Sequence, residues 1–356
     1  MKQGSAKSSI LAVRLDNEGD VLLTGPAIRA LAARGSSVTM MCGRRGKQAA
    51  SLLPGVADVI VYTACWIDPD PQPLDTAATE GLIRKIRDLR FDRAFIFTSF
   101  HQSPLPTALL LRMARIPEIA AISEDYPGSL LDVRHRVPDE VHEVQRALSL
   151  VSTLGYRLPP GDSGNLQILR SGTAVPDLPR GSYVVVHPGA SVPARAWSPA
   201  LHAELVRALA SSGRSVVVTG GPDEVELTAA VSGPPDPRVV DLGGRTTMAE
   251  LAEVLAGAEA VVVANTGPAH LAAAVGTPVV SLFAPTVPSV RWRPWGVPHV
   301  LLGDQTISCA GCRARVCPFD DHPCLTAVSV EDVLSALESL TGSPTAGAVR
   351  AGAAAS

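Results

Sequence analysis

Five stretches of this 356-residue chain set reactive or anion-binding side chains beside the glycines and prolines that end apolar runs. The first is Arg14-Leu-Asp-Asn-Glu-Gly-Asp20, directly after the apolar residues 10–15. It lacks the G-x-G-x-x-G of a dinucleotide fingerprint. Gly19 permits a tight turn and puts Asp20 at the start of a helix, where the helix dipole keeps a carboxylate ionised. Such a carboxylate suits a general base; the plainer reading is a helix cap. The second stretch runs Val184-Val-Val-His187-Pro-Gly-Ala190-Ser191-Val-Pro-Ala-Arg195-Ala-Trp197. A Gly/Ser loop offers backbone N–H groups and a hydroxyl, and Arg195 offers a charged fork, as a diphosphate requires. An ordinary loop with a solvated arginine is the alternative.

The third stretch, Ala264-Asn265-Thr266-Gly267-Pro-Ala-His270-Leu, joins an apolar run to a helix start. Gly267 lets a phosphate approach the backbone, and the N–H groups of Thr266 and Gly267 are expected to point at it. His270 lies about one turn further on; alone it would read as a buried structural histidine. The fourth, Thr219-Gly-Gly-Pro-Asp-Glu224, is a strand-end glycine turn in which Glu224 can accept from ribose hydroxyls or stand as an exposed acid. The fifth is C-x2-C-x4-C-x6-C at Cys309, Cys312, Cys317 and Cys324. No metal is assigned to the chain. A structural zinc on these four thiols is the alternative, although the spacing is not that of a standard zinc ribbon, and free thiols or a redox-dependent disulfide compete with it.

These residues need elements to carry them. Apolar strands alternate with helical periodicity in both halves, as in parallel sheets covered on both faces. Strands are expected at 10–15, 38–42, 59–62, 94–97, 183–187, 216–219, 260–264 and 279–283. Helices are expected after Gly19, over 80–89, 107–115 and 141–155, after Ser198-Pro199, from Thr247 to Gly257, and from Gly267 to Gly276. Residues 158–181 are polar and rich in Gly and Pro, an interdomain linker. The expected division is a Rossmann-like acceptor domain over 9–172, a Rossmann-like donor domain over 181–340 and a disordered tail over 341–356. Two doubly wound lobes leave a cleft suited to an enzyme with two substrates.

Composition narrows the partners. Net charge is −3, with 46% hydrophobic and 18% charged residues, and no basic cluster marks a nucleic-acid ligand. Only Lys2, Lys7, Lys47 and Lys85 among 31 basic residues are lysine, as in a GC-rich bacterial genome. No apolar run reaches the ~20 residues of a membrane span, and residues 1–9 lack a signal-peptide core, so a cytoplasmic protein with at most peripheral membrane contact is expected.

In these segments the chain resembles glycosyltransferase family 9, the heptosyltransferase group of GT-B enzymes, from about Ile10 to Leu325. The resemblance rests on ILAVRLDNEGDVLLTGPAIRAL, VVVHPGASVPARAWSP, VTGGPDE, LAEVLAGAEAVVVANTGPAHLAAAVGTPVVSLFAP and the cysteine segment CAGCRARVCP…HPCL. It implies an inverting transferase that moves a heptose or related sugar from an ADP-linked donor to a hydroxyl of lipopolysaccharide core or another cell-envelope glycan or metabolite, with no cofactor. Asp20 would be the general base. Ala190, Ser191 and Arg195 would hold the diphosphate, Glu224 and Thr246 the nucleoside, and Asn265, Thr266, Gly267 and His270 the diphosphate and sugar. Two departures stand out: Arg195 replaces the usual lysine, and Asn265 replaces a frequent aspartate. A nucleotide-sugar epimerase and a non-catalytic nucleotide-sugar binder of the same fold are the rival expectations.

Overall fold

The computed structural model describes residues 8–342. The first half lays β1 (Ser9–Arg14), β2 (Ser37–Cys42), β3 (Val56–Val61), β4 (Arg93–Ile96), β5 (Glu118–Ile122) and β6 (Val133–His135) into one sheet, ordered β3-β2-β1-β4-β5-β6. The second half builds β7 (Tyr183–His187), β8 (Ser215–Val218), β9 (Val239–Asp241), β10 (Ala260–Ala264), β11 (Val279–Leu282) and β12 (His299–Leu302) into another, ordered β12-β11-β10-β7-β8-β9. Every strand pair is parallel. Numbered within its own half, each sheet has the order 3-2-1-4-5-6. The winding direction reverses between β1 and β4, and again between β7 and β10. At such a reversal the loops leaving the two neighbouring strands part and open a crevice.

The helices between them are α1 (Glu18–Ala32), α2 (Lys47–Leu52), α3 (Thr76–Leu89), α4 (Leu105–Met113), α5 (Glu143–Ser152), α6 (Pro199–Ser211), α7 (Val225–Ser232), α8 (Met248–Ala256), α9 (Gly267–Val275), α10 (Ser289–Trp292), α11 (Pro323–Thr326) and α12 (Val330–Thr341). The central strands are the ones that hydrophobicity marks most plainly. YVVVH in β7 and AVVVA in β10 are buried along their whole length, and their β-branched side chains suit a pleated surface covered on both faces. The capping box expected at Thr247 is present, with Thr247 accepting from Glu250 N–H, and α8 stops before Gly257. α9 begins at Gly267 and ends at Gly276, which takes the left-handed conformation at φ 87°.

Four strands lie outside those expected. β6, β9 and β12 are half-buried edge strands of three or four residues, too short to show a period, whereas β5 is a mostly buried interior strand of five, EIAAI, that the sequence reading passed over. α12 packs on the second sheet through Val330, Val333, Ala336 and Leu337 and runs through Thr341, one residue into the expected tail; residues 343–356 lie outside the described part. The stretch from 158 to 181 contains no helix or strand, as expected of a linker, yet it is tied down. Leu166 is buried, Leu169 N–H donates to Leu52 O, and Arg170 pairs with Glu253 of α8. Arg29 of α1 donates two bonds to the Asp162 carboxylate, at 2.7 and 2.8 Å, and one to Asn165 O.

That bidentate pair holds the Asp162 carboxyl below its ordinary range. Arg29→Met should therefore cost about 2 kcal/mol, somewhat less than breaking a fully buried pair. Limited proteolysis should find faster cleavage between 158 and 181 while far-UV circular dichroism is unchanged.

Candidate active site

The loops that leave β1 and β4 meet on one arginine. Arg14 is the last residue of β1, and its guanidinium is buried. Its Nη2 donates to Asp20 Oδ1 at 2.9 Å, Ser99 Oγ at 2.9 Å and Asp16 Oδ2 at 3.2 Å. Nη1 lies 3.5 Å from Glu143 Oε2 in α5. Burial alone would lower this guanidinium's pKa, but Asp16, Asp20 and Glu143 together hold it above its ordinary value. Burial pushes the Asp16 carboxyl up, as does the neighbouring Asp20, against Arg14 and a 2.7 Å bond from Ser99 Oγ. Asp20 sits in the first turn of α1, where the dipole favours an anion. Its recorded bonds fall on Oδ1, from Arg14 and from Trp292 Nε1 at 3.2 Å, which leaves Oδ2 open.

The second half brings its own candidates to the ends of β7, β8 and β10. Half-buried Ala190 and exposed Ser191 open the loop after β7. A short turn, Pro193–Arg195, then carries Arg195 toward α9, where Nε donates to Thr286 Oγ1 at 3.2 Å and Nη1 to Asn265 O at 3.3 Å. Burial lowers the Arg195 pKa, and the nearby Asp20 opposes that shift. Glu224 folds over the β7 loop so closely that a β-carbon at Gly189 would collide with its carboxylate. Its Oε2 accepts from Gly221 N–H at 2.8 Å and so caps its own turn, while Oε1 has no hydrogen bond among the described residues. Half-buried Thr246 lies two residues beyond Gly244, whose N–H bonds Gly220 O.

One expectation needs correction. The Thr266 N–H does not point at a ligand, because it is bonded to Ala264 O at 2.8 Å in a tight turn. The helix-start donors that remain begin at Gly267. Asn265 is buried; its Nδ2 reaches Ala284 O at 3.4 Å and its Oδ1 has no donor. His270 is buried with Nδ1 unpartnered, and burial pushes its pKa down to about 4, against Asp20 and together with Arg195. It is neutral at pH 7.

The two halves touch directly. A β-carbon at Gly19 would lie 2.8 Å from His270 Cδ2 and 3.3 Å from Gly267 Cα, so only glycine allows α1 to approach α9 this closely. Trp292 reaches Asp20 from the second half. Arg291 beside it is buried, pairs with Asp139 at 3.0 Å, lies 3.7 Å from Glu143 and covers the Phe100 ring at 4.3 Å. His142 stacks on Trp295 and bonds Arg293 O. None of Ser99, Glu143, Arg291 or Trp292 carries a sequence signal. They are placed by the topological reversal and by contacts across the crevice. Arg14 and Asp16 stood in a recognised stretch without an assigned role.

The four clustered cysteines come together. Among the described residues no three His, Cys, Asp or Glu side chains are arranged to hold a metal ion. Cys309, Cys312, Cys317 and Cys324 instead line an apolar cavity of about 30 Å³ with Ala194 and Thr286 in its wall. Burial, with the other three cysteines adding, pushes the Cys324 thiol up to about 11. The segment braces the Arg195 turn: Ala194 N–H donates to Arg315 O at 2.9 Å, and His322 Nε2 lies 3.0 Å from Ala194 O.

Two Rossmann-like sheets that open one shared crevice, with a carboxylate on one wall and an arginine beside a glycine helix start on the other, define a glycosyltransferase of the GT-B fold. The chain belongs to glycosyltransferase family 9 (heptosyltransferase), whose model matches residues 80–322. It is 32% identical over 174 residues to lipopolysaccharide heptosyltransferase 3 of Escherichia coli, covering 47% of this chain and 49% of that one. Against lipopolysaccharide heptosyltransferase 1 of Pseudomonas aeruginosa it is 27% identical over 362 residues, covering 94% of this chain and 98% of that one. It superposes on an E. coli heptosyltransferase solved with ADP-2-deoxy-2-fluoro heptose with a TM-score of 0.70 at 21% identity, covering 93% and 99% of the two chains.

The buried histidines set a pH dependence of stability. Burial lowers His202 to about 4, as it does His270. Their unfolded value is near 6.5, so the unfolded chain takes the proton first as pH falls. The stabilisation is complete above pH 6.5 and is lost between 6.5 and 4, at about 3 kcal/mol for each group. Urea midpoints measured across that window should fall, and His202→Gln should make the fall shallower.

Proposed function

We propose that the protein is an inverting transferase that moves a heptose or closely related sugar from an ADP-linked donor to a hydroxyl of a lipopolysaccharide-core-like or other cell-envelope glycan. It would act in the cytoplasm, a compartment that suits its free thiols, with membrane contact at most peripheral. The observation that carries this reading is the position of Asp20 Oδ2. It is the open oxygen of a carboxylate whose other oxygen is fixed by Arg14 and Trp292. The second-half wall it faces carries Arg195, Gly267 and His270. The relatives' names supply the sugar and the acceptor class, and the neighbour solved with an ADP-sugar supports the nucleotide.

In this mechanism Asp20 Oδ2 takes the proton of the acceptor hydroxyl as its oxygen attacks the anomeric carbon. The bond from that carbon to the diphosphate breaks on the opposite face, which inverts the configuration. Arg195 and the α9 N-terminus from Gly267 onward receive the charge that develops on the leaving diphosphate. Glu224 Oε1 accepts from the ribose, with Thr246 near the base. Neutral His270 closes the wall without adding charge. The acceptor enters from the first half, where exposed His101 and the loop after β4 border the crevice.

Asp20→Asn should reduce turnover by about 10²–10⁴-fold while the ADP dissociation constant stays within about threefold of wild type. Arg195→Ala should do the reverse at the binding stage and weaken ADP by tenfold or more, roughly the loss of one charge-assisted bond. Calorimetry with ADP, UDP and GDP, and turnover with ADP-heptose and a heptose-accepting oligosaccharide, read both. Preference for another nucleotide, or full turnover in Asp20→Asn, would reject the assignment. Donor consumed without any acceptor would make the protein an epimerase, and donor bound but never consumed a binding protein.

A further inference from the structure

Glu18 lies two residues before Asp20, in the first turn of α1, and has no place in the mechanism above. A first-turn acid commonly does no more than complement the helix dipole from the surface. Glu18 is not at such a surface. Its side chain lies across the crevice on the first residue of α9, so that a β-carbon at Gly267 would stand 2.7 Å from Glu18 Cγ and 2.9 Å from Cδ. Among the described residues its carboxylate has no hydrogen bond and no ion pair. Burial raises its pKa, and the Glu224 carboxylate across from it raises it further. On the turn before α9, Asn265 is buried with its Oδ1 unpaired and its amide nitrogen turned to Ala284 O, and the Thr266 hydroxyl is turned to Ala264 O, so neither donates to Glu18.

A carboxylate without a partner, partly buried and beside a second carboxylate, is costly. A diphosphate seated at Gly267 would add to that cost through like-charge repulsion. The cost is relieved if hydroxyl donors arrive with the diphosphate. A sugar bonded to that diphosphate places its ring between Gly267 and Asp20, and Glu18 stands at that point.

We infer that Glu18 is a specificity-determining residue for the donor sugar, its carboxylate accepting a hydrogen bond from a sugar hydroxyl and disfavouring the nucleotide diphosphate that lacks the sugar. This rests on the donor reading of the crevice. It gives Glu18 two opposite effects on two ligands: it weakens ADP and strengthens ADP-sugar relative to ADP. After transfer, the same repulsion helps expel the ADP product.

The test is calorimetric titration of the full chain with ADP and with ADP-heptose, for wild type, Glu18→Gln and Glu18→Asp. Glu18→Gln should bind ADP about fivefold more tightly. The preference for ADP-heptose over ADP should fall about tenfold, the value of one hydrogen bond to a charged acceptor. Glu18→Asp keeps the charge one methylene short of the sugar. It should leave ADP affinity near wild type and still lose most of the preference. In turnover the product-release advantage should appear as a lower kcat for Glu18→Gln at saturating donor. An unchanged preference in both variants overturns the inference, as does an equal tightening of both ligands by Glu18→Gln, which would mark simple repulsion. If wild type binds neither ligand, the donor reading fails first, and the wild-type titration alone shows it.

Discussion

A single buried guanidinium, that of Arg14, sets the chemistry of the first half. It closes β1 at the point where the sheet reverses its winding, so everything that enters the crevice from that side passes it. Asp16, Asp20 and Glu143 are carboxylates within one shell of it, and burial of Asp16 and Glu143 makes its positive charge the main offset to their desolvation. Arg146 and Arg291 complete the balance around Glu143, at 3.2 and 3.7 Å. The consequence for Asp20 is geometric. One oxygen is fixed, and with it the plane of the carboxyl, while the other carries no bond among the described residues. Under the proposed mechanism a base held this way would lose no orientation when the acceptor binds.

Arg291 and Trp292 extend the same network into the second half. An ion pair and an indole N–H cross the crevice to Glu143, Asp139 and Asp20, and Gly19 lies against His270 and Gly267. The contacts between the halves therefore fall on the residues proposed to react: Glu18, Gly19 and Asp20 on one side, and Gly267, His270 and Trp292 on the other.

How legible this was in the sequence divides along physical lines. Central parallel strands are covered on both faces and read as uninterrupted apolar runs, so AVVVA at β10 and YVVVH at β7 stand out from their composition. Glycine turns and capping boxes act within a few residues, which is why the α8 and α9 boundaries at Thr247, Gly257, Gly267 and Gly276 could be read. The candidate residues within those same loops, Asp20, Arg195 and Glu224, are legible as candidates for that reason. Contacts across the crevice have no local signature. Trp292 is separated from Asp20 by 272 residues, and Arg291 from Asp139 by 152. The Thr266 amide was misread because a helix start was treated as a free donor set, whereas the turn before it consumes that N–H locally. The cysteines read from spacing as one alternative ligand set; what spacing does not carry is that they share one cavity and that their segment hydrogen-bonds to Ala194 beside Arg195.

The two walls of the crevice treat charge in opposite ways. On the first wall the carboxylates are met by arginines. On the second, among the described residues, Arg195 makes only neutral contacts, to Thr286 Oγ1 and Asn265 O, and no carboxylate pairs with it. An aspartate at 265 would put a negative charge on the same residue as that carbonyl and compete with an anionic ligand for Arg195. Asparagine keeps the shape of the turn and removes the competitor. Arg195, planar and bidentate where a lysine would be a point charge, keeps its full charge for the diphosphate. Lowering of the Arg195 pKa by burial carries the same meaning, since a buried cation without a carboxylate is incomplete until an anion arrives. Under the proposed function, affinity for the donor diphosphate would derive from this cation without a carboxylate partner rather than from an excess of basic residues, so a net charge of −3 is no obstacle to it.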